Sequence, residues 1–155
     1  MSTTPNAFRT VSQKLSVGQQ IIAASGLLLL VDLLFLPWHQ VTVGIAGVSA
    51  FTTSRSGVQS PIAFLGFLAL LGAAALVAHV VVSEFTEVDL PELPVSWGRA
   101  DLIASASVAG LLVLKFVLKA NYLGIGAWLG LLLAGALAYG GFRRFQETEA
   151  EAVQA

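Results

Sequence analysis

Four long stretches of the chain carry apolar side chains with almost no polar relief. Val17–Leu36 is interrupted by Gln19, Gln20 and Asp32, and Pro61–Val82 holds one ionisable group, His79. Leu102–Leu118 holds Lys115, and Tyr122–Phe142 holds no charge. A helix needs about 20 residues to cross a hydrocarbon core of ~30 Å. A soluble helical bundle would instead show a polar stripe at the 3.6-residue period, and the second and fourth runs have none. The pattern predicts spans at about 17–36, 61–82, 102–119 and 122–142 in a single membrane domain. The expected fold is all-α and transmembrane, a four-helix bundle.

The loop at 37–60 has a different period. In "QVTVGIAGVSAFTT" Val41, Val43 and Ile45 alternate with Thr42 and Gly44, Gly47 can make a turn, and β-branched and aromatic residues resume through Val48, Phe51, Thr52 and Thr53. This predicts a small β-hairpin in the first extracytoplasmic loop. A lone hairpin is marginal in water, so its apolar side is expected to press onto the helix ends, with Trp38 covering the seam. The segment "TTSRSG" is expected to form a polar, mobile or partner-facing tip. Trp38, His39, Phe51 and Arg55 are the candidate contact residues of this loop.

The loop at 83–101 contains Pro91 and Pro94, which forbid a continuous helix, and Trp97, which fits an interfacial anchor. Asp101 falls near the start of the third helix, where its charge suits the dipole. Phe8, Val11 and Leu15 recur at helical spacing opposite Arg9 and Lys14, which fits a short interfacial helix or a frayed lead-in. The tail 143–155 is polar and acidic and is expected to be mobile.

Composition agrees with the pattern. The 155 residues are 56% hydrophobic and 11% charged, with mean hydropathy +0.82, against about 25% charged in soluble domains. A net charge of −1 with no basic stripe excludes nucleic acid as a partner. The absence of cysteine removes disulfides, thiolate metal sites and thiol nucleophiles. The first apolar run is followed by Leu-Pro-Trp-His rather than a small-residue cleavage pattern, so it is expected to stay as a span. With both termini in the cytoplasm, Arg9, Lys14, Arg99, Arg143 and Arg144 lie inside and Arg55, Lys115 and Lys119 outside, which agrees with the positive-inside rule.

In lipid, helices associate through close packing at small residues. Gly126, Gly130, Ala134 and Ala138 form such a stripe on the fourth span, Ala69/Ala73 and Ala74/Ala78 on the second, and Ala106/Gly110 on the third. They read as packing within the chain, with dimerisation as the alternative. Asp32 is the single acid inside a span and needs a partner. Lys115 falls at matching depth on the third helix, so an intramembrane ion pair between Asp32 and Lys115 is expected, with Lys119 as the other possible base. The pair reads as a structural pin, or alternatively as a proton or cation site.

His39 and His79 lie at opposite ends and cannot share a metal. His79 is expected near Glu84 or Asp101. Neither a Ser-His-Asp grouping nor a phosphate-binding glycine loop can be assembled, so no catalytic residue, metal or cofactor is expected.

The pattern of "FLPWHQ" (Phe35–Gln40), "GVSAF" (Gly47–Phe51) and "GLLVLKFVLKAN" (Gly110–Asn121) resembles small uncharacterised four-span membrane proteins of actinobacteria. The resemblance implies a bacterial plasma membrane and supplies no activity. The layout is also similar to claudin-like proteins in architecture alone, since the loop cysteine pair and the Gly-Leu-Trp before it are missing. The expected role is a non-enzymatic scaffold or accessory subunit of a bacterial envelope or membrane-protein assembly, with lipid and other membrane proteins or a second copy as partners. The alternative is a small transporter or channel with a polar path near Asp32 and Lys115.

Overall fold

In the computed structural model, residues 14–59 and 62–155 are described. Phe8, Arg9 and Val11 of the expected interfacial helix, and Pro61 of the second apolar run, lie outside them. Four helices are long and apolar enough to cross a bilayer: α1 (Val17–Phe35), α2 (Ala63–Phe85), α3 (Trp97–Leu118) and α4 (Ile125–Gln154). The chain is a four-span integral membrane protein. Its surface is that of a protein solvated by lipid: Leu28, Phe64, Phe67, Ile103 and Leu132 point outward, while Leu29, Ala73, Leu112 and Leu137 fill the centre.

Local chemistry sets the boundaries. Ser16 caps α1, its hydroxyl accepting from the Gln19 amide at 3.3 Å while the Gln19 side chain accepts from the Ser16 amide at 2.9 Å. Pro37 has no amide hydrogen to continue the helix and holds Leu36 extended, so α1 stops at Phe35. Ser96 caps α3, which therefore starts at Trp97, five residues before the apolar run that marks it in the sequence.

The tail expected to be mobile is instead helical, and α4 runs 30 residues to Gln154. At 1.5 Å per residue that is about 45 Å, longer than the bilayer core, so its last turns project beyond it. Those turns have partners. The Gly18 amide donates to Glu147 Oε1 at 3.1 Å, Arg99 lies 3.9 Å from Glu149, and Thr148 faces Gly98.

The helices form a ring in which α1 and α3 each pack on α2 and α4, leaving α1 and α3 diagonally opposed. The stripe Gly126, Gly130 and Ala134 is buried within the chain and Ala138 half-buried; Ala69 and Ala73 are buried as well. Ala106, Gly110 and Ala78 face outward instead. The close α3–α4 contact is made by Gly141, where a Cβ would run into the Ser105 hydroxyl and come within 3.0 Å of the Asp101 carbonyl.

Between α1 and α2, strands β1 (Pro37–Ile45) and β2 (Val48–Ser56) pair antiparallel. Ala46 (φ 51°) and Gly47 (φ 80°) both take positive φ, the two-residue turn whose twist suits a hairpin. The hairpin does not lie flat on the helix ends. Phe51 is 78% and Ile45 73% exposed, and Val41, Val43 and Val48 are exposed with them. Among the described residues the hairpin is held at its root, where the Gly124 amide donates to the Trp38 carbonyl and the Gln40 amide to the Tyr122 carbonyl, both at 2.8 Å. "TTSRSG" is accordingly not a tip: Thr52–Ser56 run back along β2, and Gly57 is buried beside Leu33 and Trp38.

Candidate functional site

Three polar centres sit in this frame, two at the hairpin end of the bundle and one at the opposite end. The first is Asp32. It is 1% exposed, and its Oδ2 accepts a hydrogen bond from Trp38 Nε1 at 2.8 Å, while Oδ1 has no hydrogen-bond partner among the described residues. The break at Pro37 turns the chain back so that the indole enters the bundle beside Asp32, six residues upstream. Space for it comes from α4, where a Cβ at Gly130 would overlap the ring and one at Gly126 would meet Trp38 Cδ1 at 3.0 Å. The small-residue spacing of α4 thus admits an aromatic side chain as well as a helix.

The expected ion pair does not form among the described residues. Lys115 is wholly buried, and its Nζ donates to the Ile62 carbonyl at 3.0 Å. Neither Lys115 nor Lys119 is paired with Asp32. Equal depth is not enough: α1 and α3 face each other across the ring diagonal, and the indole reaches Asp32 first. Lys115 instead holds the entry to α2, where Ile62 takes φ 54°, a left-handed conformation costly for a β-branched residue.

The second centre is a cleft of about 290 Å³ at the root of the hairpin, lined by His39, Val41, Thr53, Arg55, Lys119, Asn121 and Tyr122. His39 sits opposite Arg55 in the strand register. Burial, and after it the positive charge of Lys115, hold the His39 imidazole below its usual range, with the Lys119 backbone opposing the shift and the Lys119 charge adding to it. Of the four contact residues expected in this loop, Trp38 belongs to the core, His39 and the exposed Arg55 to the cleft lining, and Phe51 to the surface.

The third centre lies at the tail end. His79 stacks on Trp97 with ring centroids 4.4 Å apart, and its Nε2 lies 3.5 Å from Asp101 Oδ1. Together with Gly72, Leu76 and Ala104 they line a second cleft of about 210 Å³ between α2 and α3. Of the two acids expected near His79, Asp101 is the one in contact, while Glu84 accepts from Gln19 Nε2 at 2.7 Å. Trp97 is therefore a stacking partner at a helix start. Among the described residues no group of three or more His, Asp or Glu side chains is placed to hold a metal ion.

Sequence reasoning missed the Asp32–Trp38 contact. The available signal was the indole N–H, which needs a partner when buried, on the far side of a proline break from the single intramembrane acid. Compared with models of known protein families, with curated proteins and with solved structures, the chain matches none.

Proposed function

We propose that this four-span membrane protein is a non-enzymatic scaffold or accessory subunit of a bacterial envelope or membrane-protein assembly, and that the hairpin carries its partner contact. One observation supports this above others. A hairpin fixed at its root extends an apolar face of Val43, Ile45, Val48 and Phe51 that no part of the described chain covers. Contiguous exposed apolar surface beside unpaired strand edges is a feature proteins keep for contacts. The stripe on α4, the other surface with an adhesive look, is used up inside the bundle. The positive-inside majority, with Arg143 and Arg144 at the tail end, puts the hairpin on the extracytoplasmic side.

The transporter alternative has less support. Asp32 and Lys115 are enclosed, stand on diagonally opposed helices, and line neither of the clefts described above.

A photo-crosslinking residue in place of Phe51 in native membranes is expected to give a discrete protein adduct. That adduct should disappear when Val43→Asp and Ile45→Asp are added, and should not form from the lipid-facing position of Leu132. Lipid adducts alone at both positions would end the scaffold reading. The cysteine-free chain also permits a Thr52→Cys variant, which an impermeant maleimide should label in intact cells; protection until lysis would reverse the orientation.

A further inference from the structure

The cleft at the hairpin root gathers cationic and donor groups from three parts of the chain: His39 from β1, Arg55 from β2, and Lys119, Asn121 and Tyr122 from the α3–α4 connection. No acid is among its lining residues, and Arg55 and Lys119 form no ion pair among the described residues. Like charges gathered in one concavity repel one another and raise the local concentration of anions. An independent observation points the same way. His39 is 6% exposed, and among the described residues neither Nδ1 nor Nε2 makes a well-formed hydrogen bond, only a contact with the Lys119 backbone partly offsetting its burial. An imidazole buried in that state is poorly compensated for the cost of desolvation.

We propose that this cleft is an anion site for a phosphate group, with the Arg55 guanidinium as the forked donor, Lys119 as a point charge and His39 as a donor from the cleft wall. Arginine suits paired phosphate oxygens, and lysine adds charge without demanding a fixed geometry. Donors supplied by two adjacent strands and the α3–α4 connection suit an oxyanion with several acceptor oxygens. Both a free phosphate and the phosphodiester of a lipid headgroup have this chemistry. The cleft wall includes Val41, and the same strand face continues to Val43 and Ile45, so an acyl-bearing phosphate has apolar surface to lie along. The site does not depend on the hairpin having a protein partner.

A pH dependence follows. The groups facing His39 are Arg55 from β2, Lys115 from α3, and Lys119 and Tyr122 from the connection. All of the charged ones are positive, and burial, followed by the charges of Lys115 and Lys119, holds the imidazole below its usual range. A bound phosphate offsets those charges and raises the His39 pKa. Binding therefore tightens as the pH falls through the titration of His39.

The test uses the full chain in maltoside micelles, which contain no phosphate, with imidazole NMR as the readout. The chain has two histidines, and His79, at the other end of the bundle, serves as the internal reference. One arm adds inorganic phosphate; the other adds phosphatidylglycerol, with a neutral glycolipid as control. His39 should shift, and its titration should move upward, while His79 stays in place. A response to inorganic phosphate identifies a free-anion site, and a response to phosphatidylglycerol alone identifies a headgroup site. Arg55→Gln and Lys119→Gln, both at exposed positions, should each weaken binding roughly tenfold, as expected for one charge-assisted hydrogen bond. Thr53→Glu, which places a carboxylate in the cleft, should abolish binding. A His39 signal indifferent to both ligands, or full affinity in the Arg55→Gln/Lys119→Gln double variant, would overturn the proposal.

Discussion

A Gly130→Leu variant is expected to unfold in detergent far below the parent, while Gly135→Leu on the same helix does not lower the transition. The contrast comes from what each side chain would meet. A Cβ at position 130 overlaps the Trp38 ring and lies 2.6 Å from Asp32 Oδ2, whereas one at position 135 finds nothing within 4 Å. Overpacking alone costs about 1–3 kcal/mol. Here the added carbons would also separate a buried donor from its acceptor, which adds about 1–3 kcal/mol more. At position 135 the change only replaces a helical glycine, which is worth roughly 0.5–1 kcal/mol in the stabilising direction. Thermal unfolding followed by tryptophan emission separates the two, because expulsion of Trp38 shifts its spectrum to the red. Equal transitions for both variants would show that this face of α4 does not hold the indole.

Trp38→Ala is the second large effect. Trp38 heads the largest fully buried side chains and is at the same time the hydrogen-bond donor to Asp32. Its removal leaves a void among Leu33, Gly126 and Gly130 and leaves both Asp32 oxygens without a partner. Truncating a buried tryptophan to alanine costs about 3–5 kcal/mol. Trp38→Phe keeps most of the volume and loses only the N–H, so its cost should stay near 1–3 kcal/mol. The expected order of stability in a detergent melt is parent, then Trp38→Phe, then Trp38→Ala. The alanine variant should also free the hairpin root, seen as faster amide exchange at Gln40 and Gly124, whose amides bond across it. If phenylalanine and alanine cost the same, the ring volume has no part in the packing.

Much of the fold is legible in the sequence because lipid imposes simple rules. Runs of 20 or so apolar residues must be helices that satisfy their own backbones. Pro37 ends the first, Gly47 marks the hairpin turn, and Pro91 and Pro94 keep the connection before α3 out of a helix. The interior is less legible. Depth along the membrane can be read from residue number, and on that basis Asp32 and Lys115 match. Which helices are neighbours is decided by packing around the ring, and there α1 and α3 stand apart. The partner Asp32 takes comes from six residues away through a chain reversal that hydropathy does not register. The direction of the hairpin was hidden for a related reason. Its alternation shows that one face is apolar, but the bonds from Tyr122 and Gly124 at its root keep that face off the helices. The tail misled through its composition: Glu147, Thr148 and Glu149 look like solvated disorder until the starts of α1 and α3 are seen beside them.

The partners of Asp32 are the centre of this account, because they separate a latch that fixes the hairpin from an ion pair or a conducting path. A double-mutant cycle on Asp32→Leu and Trp38→Phe in the purified full chain, read as unfolding free energy, tests this most directly. Each single change leaves one buried polar group without its partner, and the double change removes both. The double variant should therefore lose about 1–3 kcal/mol less than the sum of the single losses. Asp32→Leu combined with Lys115→Leu should be additive, since the two side chains bond elsewhere. Additivity for Asp32 with Trp38, together with coupling between Asp32 and Lys115, would contradict the latch.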